Sequence, residues 1–319
     1  MSSKSNDQGR ACEFVLINKL FDEISKFTNV VIIKDSSYEA AKRAYDLTSD
    51  EVIKNFNLSA QAAIKKLFEF EPNLFYKCSD NIELSIQKDS NGEDGDVRDI
   101  VILRNYPKWE IGISSKHNHF ALKHSRLSPS IDFGNKWYGL DCSDEYWNEI
   151  NPIFNFTNEC KKKNVNWNQM NNKEDDVYVP LLNAFINEIK RSYSKDKNIC
   201  KKFVEYLLGK YDFYKVIGID DKKLTEIQAY NFHGQLNKES LKSKPKLSIP
   251  LIEMPDEIQY INFKTNSKNT VLITMNNGWS FSFRIHNAST KVENSLKFDI
   301  QFVGVPVVLT IDCPWKLNS

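Results

Sequence analysis

The sequence predicts an α/β fold of the α+β kind: a mixed sheet flanked by helices, a helical and looped insertion, and a β-rich C-terminal module. Three observations point there. Short apolar runs alternate with amphipathic helical stretches up to about residue 225. Beyond that point strand-like runs follow one another without helical periodicity. With 41% hydrophobic and 27% charged residues over 319 positions, the chain has the apolar content for about two domains. The expected division is a core over 1–225, interrupted at about 128–176, and the β-rich module over 226–319.

Taken in order, residues 7–28 read as a helix, with Asp7 as N-cap and Phe14, Ile17, Leu20, Phe21, Ile24 and Phe27 at helical spacing. Asn29–Lys34 is a buried-strand run. Residues 37–60 and 61–70 are helical in tone. Glu83–Gln87, Asp99–Leu103 and Trp109–Ser115 are strand-like, and the turn-forming Asn105–Lys108 makes the last two a hairpin. Residues 128–176, rich in Trp, Tyr and Asn, read as short helices and loops. Val179–Ser192 is strongly amphipathic, with Pro180 at a permitted early position. Lys201–Leu208 is helical and ends at Gly209; Phe213–Ile219 is another buried strand. Asn237–Ile249 is a basic linker, and Val271–Met275 with Trp279–Ile285 form a hairpin around an Asn-Gly turn.

Composition excludes several classes. No run of about 18 apolar residues occurs, so no membrane span is expected. The first residues, MSSKSNDQGR, lack the apolar stretch of a secretory signal. Six scattered cysteines without a CxxC pair fit the reducing cytoplasm and argue against a zinc finger or disulfide scaffold. With 43 basic and 42 acidic side chains, any phosphate-binding surface is a local patch.

The segment richest in chemistry is GDVRDIVILRNYPKWEIGISSKHNHFALKHSRLS, from Gly95 to Ser128. An acidic residue opens a strand, a turn follows, and the second strand ends in lysine. If Asn105–Lys108 make the turn, Arg104 faces Trp109, Asp99 faces Ser114 and Val97 faces Lys116. Opposed residues share a face, so Asp99, Ser114 and Lys116 converge. A one-residue shift brings in Asp96 instead. This layout resembles the PD-(D/E)xK nuclease core, in which an Asp and a second acidic or polar residue bind Mg²⁺ beside a lysine. Asp99 or Asp96 is then the first ligand, and Ser114 with Lys116 an SxK version of the second motif. A hydroxyl is a weak Mg²⁺ ligand, so a further carboxylate is wanted. Glu13 offers one, because it lies on the apolar stripe of the first helix with Ile17, Leu20 and Ile24, where a carboxylate needs a partner. Glu110 shares the face of Ser114 but lies about 13 Å along the strand.

His117, His119 and His124 invite a zinc site, but no Cys pair is near to close it. The alternatives are a helix start at the site mouth, with His117, Asn118, His119, Lys123, His124 and Arg126 toward phosphate, or an ordinary solvated helix face.

SNDQGRACEF, GDVRDIVI, WEIGISSKHNHFALKHSRLS and NGWSFSFRIHNASTKVENSLKFDIQ together resemble the HaeIII family of type II restriction endonucleases, from residue 5 to about residue 301. The resemblance implies a restriction-endonuclease-like core and Mg²⁺-dependent double-strand cleavage of DNA at the palindrome GGCC. It also implies a restriction–modification system with a cytosine methyltransferase protecting the same site, with no direct contact implied. Its nuclease motif maps onto Asp99 (or Asp96), Ser114 and Lys116, with Glu13 from the helix block. A palindrome suits a twofold homodimer; a monomer cutting the strands in turn would also serve. The rival reading is a non-catalytic DNA-binding module on a nuclease fold, which Ser114 favours.

In Trp279–His286 the alternation is strict: Trp279, Phe281, Phe283 and Ile285 face one way, Ser280, Ser282, Arg284 and His286 the other. A half-buried strand does this anyway. The functional alternative is a base-reading row that continues through Asn287 to Lys291. Guanine presents O6 and N7 to Arg or Lys in the major groove, which singles out Arg284 and Lys291. Lys297 and the lysines at 161–163 and 238–246 suit phosphate contacts or plain solubility.

Overall fold

The structure is a computed structural model that describes residues 2–77, 79–88, 95–118, 122 and 125–316. In chain order it begins with α1 (Ser2–Ile24), β1 (Val30–Ile32), α2 (Ser36–Asp46), α3 (Asp50–Phe70), β2 (Ile82–Ile86), β3 (Ile100–Arg104) and β4 (Trp109–His117). Next come β5 (Arg126–Leu127), α4 (Phe133–Tyr138), α5 (Asp144–Lys162), α6 (Val179–Lys195) and α7 (Ile199–Leu208). The remainder is β6 (Phe213–Ile219), β7 (Leu224–Tyr230), β8 (Ile258–Phe263), β9 (Thr270–Met275), β10 (Ser280–His286), β11 (Leu296–Gly304) and β12 (Leu309–Pro314).

These elements form two compact units. The first comprises Met1–Phe120, Gly209–Ile252 and Val307–Ser319; the second comprises Ala121–Leu208 and Glu253–Pro306. The division differs from the expected cut at 225, and strand pairing gives the reason. β12, near the C-terminal end, pairs with β7 and so belongs to the first sheet. β5, near the start of the expected insertion, pairs with β11 of the tail. Insertion and tail share one core, which apolar patterning cannot reveal because it reports burial and not the partner.

The first unit is a mixed seven-stranded sheet among the described residues, in the order β1-β2-β3-β4-β6-β7-β12. β1/β2 and β4/β6 are parallel; β2/β3, β3/β4, β6/β7 and β7/β12 are antiparallel. The apolar stripe of α1 (Ala11, Leu16, Ile17, Leu20, Ile24) and that of α3 (Phe56, Ala60, Ala63, Ile64, Leu67) join one core with strand residues that include Leu84, Ile102, Ile111, Ile113 and Val216. Along β2, Ile82, Leu84 and Ile86 alternate with partly exposed residues, so one face of that strand enters this core.

The second unit carries an antiparallel sheet in the order β5-β11-β10-β9-β8. Phe281 and Phe283 of β10 and Phe298 of β11 meet Trp137, Phe185 and Phe203 of the helices in an aromatic core, which Phe133 joins through Trp137 and Phe185. Edge-to-face and offset pairs of this kind pack large rings with little void. The alternation expected at 279–286 is realised, with the four apolar side chains buried and Arg284 exposed. The ladder pairs Ser280 with Thr274 and leaves the three-residue loop Asn276–Gly278, in which Asn277 and Gly278 both take positive φ, 57° and 85°.

Other expectations shift at their edges. α1 starts at Ser2, so Asp7 lies inside the helix and is not its N-cap. The helical stretch 37–60 breaks in two: Asp35 caps α2 by accepting from the Ser37 and Tyr38 N–H groups, and α3 begins after Ser49. The region read as short helices and loops includes the 19-residue α5.

One buried acid has a consequence for stability. Glu71 is fully buried, and its Oε1 accepts from Tyr214 Oη (2.5 Å) and Asn237 N (2.6 Å). Burial outweighs these donors and pushes its carboxyl up to about 8. The folded state therefore holds this proton more tightly than the unfolded chain does. That contribution is complete below the unfolded value and is lost as pH rises through the folded one, at about 1.4 kcal/mol per pH unit in between. Glu71→Gln should leave the melting temperature nearly unchanged at pH 5 and raise it at pH 9. A variant-to-parent difference that does not grow with pH would contradict this.

Candidate active site and candidate base-reading row

The hairpin of β3 and β4 builds the first site. Its register runs from Arg104↔Trp109 to Ile100↔Ile113, and there it slips by one residue, because the Asp99 N–H donates to Ile113 O, at 2.9 Å, as in a β-bulge. The expected Asp99–Ser114 pairing is not part of this ladder, but the Asp99 side chain still reaches the end of β4, where three donors converge on one of its oxygens. Oδ2 accepts from Ser115 N at 2.6 Å, Lys116 Nζ at 3.0 Å and Ser114 Oγ at 3.2 Å. Oδ1 takes none of these bonds. The sequence-predicted trio of Asp99, Ser114 and Lys116 is thus brought together.

Lys116 is about one-third exposed, at 32% of its side chain. Burial works against its ammonium, but the charge and hydrogen bond of Asp99, followed by the charge of Glu13, hold it above the ordinary lysine range. Cys12 on α1 lies 3.3 Å from Ser115 Oγ, and burial pushes its thiol up to about 12, so it stays neutral. Glu13, next along α1, lines a cavity of about 250 Å³ with Arg10, Ser36, Ser37, Gln87 and Lys88. Gln87 joins this cavity to the hairpin, since its N–H donates to Asp99 O at 2.9 Å.

Asp96 has a different environment. Its carboxylate is gripped by the fork of Arg98, with Nε to Oδ1 and Nη2 to Oδ2 both at 2.8 Å. Arg98 also donates from Nη1 to Glu110 Oε1 at 2.6 Å and lies 4.1 Å over the Tyr211 ring. A paired, bidentate carboxylate is already neutralised. Gly112 makes room for this arrangement: a Cβ there would sit 1.9 Å from Arg98 Cδ.

The histidine segment departs from the expected helix start. Lys116 and His117 end β4, and Asn118 has φ 52°. His117 Nε2 lies 2.9 Å from Asp220 Oδ2, and Asn118 Nδ2 donates to the same oxygen at 3.3 Å. Asn118 Oδ1 in turn accepts from Asp220 N at 3.0 Å. Both residues are therefore held by the β6–β7 turn. His119, Lys123 and His124 lie outside the described residues. Among the described residues, no group of three or more His, Cys, Asp or Glu side chains is arranged to hold a metal ion.

The second unit carries the other candidates. Arg284 is 55% exposed and pairs with Asp299 at 3.1 Å; Asp299 Oδ2 also accepts from Gln301 Nε2 at 3.2 Å. His286 Nδ1 lies 3.0 Å from Asn287 O. Asn287 is engaged at both ends of its amide, donating to Ser289 O and accepting from Tyr178 Oη. Lys291 Nζ donates to Asn164 Oδ1 at 3.4 Å and lines a cavity of about 560 Å³ with Lys161, Asn164, Ser289 and Glu293. Arg126 on β5 is exposed and donates to Ser295 Oγ at 2.9 Å.

Sequence reasoning missed Arg98, Asp220 and Lys215. For Lys215 a signal existed: it is the one charged residue in the otherwise apolar run FYKVIGI. Arg98 and Asp220 act through side-chain pairings that no spacing rule announces.

The chain matches the family described as HaeIII restriction endonuclease over residues 9–306. It is 48% identical over 318 residues to the Type II restriction enzyme HaeIII of Haemophilus aegyptius, covering 99% of this chain and 100% of that protein. No solved structure matches.

Proposed function

From the premise that the chain belongs to the HaeIII restriction endonuclease family and is a restriction enzyme, we propose that it makes Mg²⁺-dependent double-strand cuts in DNA at GGCC. The observation that carries this reading is the convergence of Ser114, the Ser115 N–H and Lys116 on a single oxygen of Asp99. Such a hub fixes the carboxylate and leaves Oδ1 to face a cation. Mg²⁺ keeps several of its waters and takes one or two carboxylates together with substrate phosphate. A site with the two carboxylates of Asp99 and Glu13 suits that habit. Asp99 is the better ligand of the two aspartates because Arg98 already occupies Asp96.

When bound, the ion supplies charge neutralisation and a more acidic water. The protein's own part falls to Asp99 and Lys116. Asp99 holds its position through three donors, so little reorganisation accompanies the reaction. Lys116, an ammonium 3.0 Å from Asp99, orients the attacking water or stabilises the charge of the pentavalent transition state. In the second unit, Arg284 and Lys291 are the proposed guanine-reading residues, with Arg126, His286 and Asn287 in supporting DNA contacts. In the first unit, His117 and Asn118 would contact DNA only at the cost of their bonds to Asp220.

We place the enzyme in the cytoplasm, with a cytosine methyltransferase protecting the same site. The five described cysteines are free thiols, and no described helix is long and apolar enough to cross a membrane. Twofold association is the arrangement that suits a palindrome. The deciding experiment incubates duplex DNA containing GGCC with the protein, with and without Mg²⁺. Discrete fragments ending within GGCC, formed only with the ion, are expected. Cleavage in EDTA, fragments mapping elsewhere, or no cleavage at all would each overturn the proposal.

A further inference from the structure

β6 runs beside the catalytic strand, and every one of its residues is buried. Lys215 among them is 5% exposed. In the parallel β4–β6 ladder Lys215 is the partner of Ser114, and Lys116 stands opposite Ile217. Partners in a ladder share a face and residues two apart return to it, so Lys215 projects from the face that bears Ser114 and Lys116. The face stays polar on the far side of β6. Lys215 pairs with Gln228, which accepts from Tyr230 Oη at 2.8 Å and donates to Glu226 Oε1 at 2.7 Å.

A buried ammonium is costly, and an apolar side chain of similar length would sit there at lower cost. Its surroundings strain the charge further: burial first, then the Lys116 cation, push Lys215 down to about 8, with Glu226 opposing. A cation kept beside another cation, away from water, acts on its neighbours with little screening. Resting on the assignment of Asp99 and Lys116 above, we propose that Lys215 is a positioning residue of the hydrolytic site. Its buried ammonium directs Lys116 toward Asp99 and raises the positive potential where charge develops on the scissile phosphate.

The test uses the full-length enzyme and Lys215→Met, which keeps the length of the side chain and removes the charge. Three quantities are read: single-turnover cleavage of a GGCC duplex with Mg²⁺, affinity for the same duplex in EDTA, and melting temperature. The expected result is a roughly 100-fold slower cleavage step, affinity within about threefold of the parent, and a melting temperature unchanged or raised. Lys215→Arg, which restores the charge, should recover at least about tenfold of the lost rate. Cleavage by the Met variant at the parental rate would overturn the inference. So would a loss of rate that Arg does not recover, or one that tracks a fall in melting temperature. If Met at 215 prevents folding, Lys215→Gln is read by the same criteria. Lys116→Ala is run alongside. A parent that does not cleave, or a Lys116→Ala variant that does, removes the underlying site assignment; an active Lys215→Met beside an inactive Lys116→Ala removes only this inference.

Discussion

Replacing Lys116 by alanine should abolish cleavage, by about 10³-fold or more, and leave DNA affinity within a few-fold. The local geometry separates the two effects. Asp99 Oδ2 keeps its bonds from Ser115 N at 2.6 Å and Ser114 Oγ at 3.2 Å when the lysine is gone, so the carboxylate stays in place. What disappears is the one ammonium 3.0 Å from it. The proposed base-reading residues lie on β10 and the loop after it, so the substitution leaves the contacts proposed for them in place. Single-turnover cleavage and a mobility-shift titration in EDTA, made on the same preparation, measure the two quantities. Cleavage at the parental rate would show that Lys116 is not part of the chemistry. A matched loss of affinity would reassign it to phosphate binding.

The hairpin that carries this prediction was legible in the sequence because a turn and a period of two fix the register once the turn residues are known. That is why Asp99, Ser114 and Lys116 could be placed on one face from the letters. The choice between Asp99 and Asp96 could not be made in that way. It depends on Arg98, whose fork closes on Asp96 and whose stem lies over Gly112. Side-chain pairing of this kind has no period. The stripe of α6 was equally legible: Leu181, Leu182, Phe185, Ile186 and Ile189 are all buried. What α6 packs against was not, because an apolar face is satisfied by any apolar partner. Non-local pairing hid the unit boundary as well, since β12 returns to β7 only after four strands of the other sheet have intervened.

The alternating strand Ser280–His286 supports the second large effect. Arg284 is the cation on its polar side, 55% exposed, and its partner Asp299 is also bonded to Gln301. A cross-strand ion pair at a surface contributes only about 0.2–1 kcal/mol to folding, so stability alone is a weak reason for this trio. A guanidinium steadied from one side and open on the other is suited to guanine, whose O6 and N7 accept two parallel donors. At GGCC every pair is G·C. Arg284→Ala should therefore cost about 1–3 kcal/mol per half-site and narrow the gap between GGCC and a one-base mismatch. The variant also leaves the Asp299 carboxylate without its cation beside an anionic duplex, which adds to the loss on every sequence. Titrations against cognate and mismatched duplexes at two salt concentrations separate the contributions. Base reading lowers the cognate-to-mismatch ratio, whereas a phosphate contact weakens both duplexes equally and reduces the salt slope by about one. An unchanged ratio would remove Arg284 from the reading set and pass the role to Lys291, which lines its own cavity with Lys161.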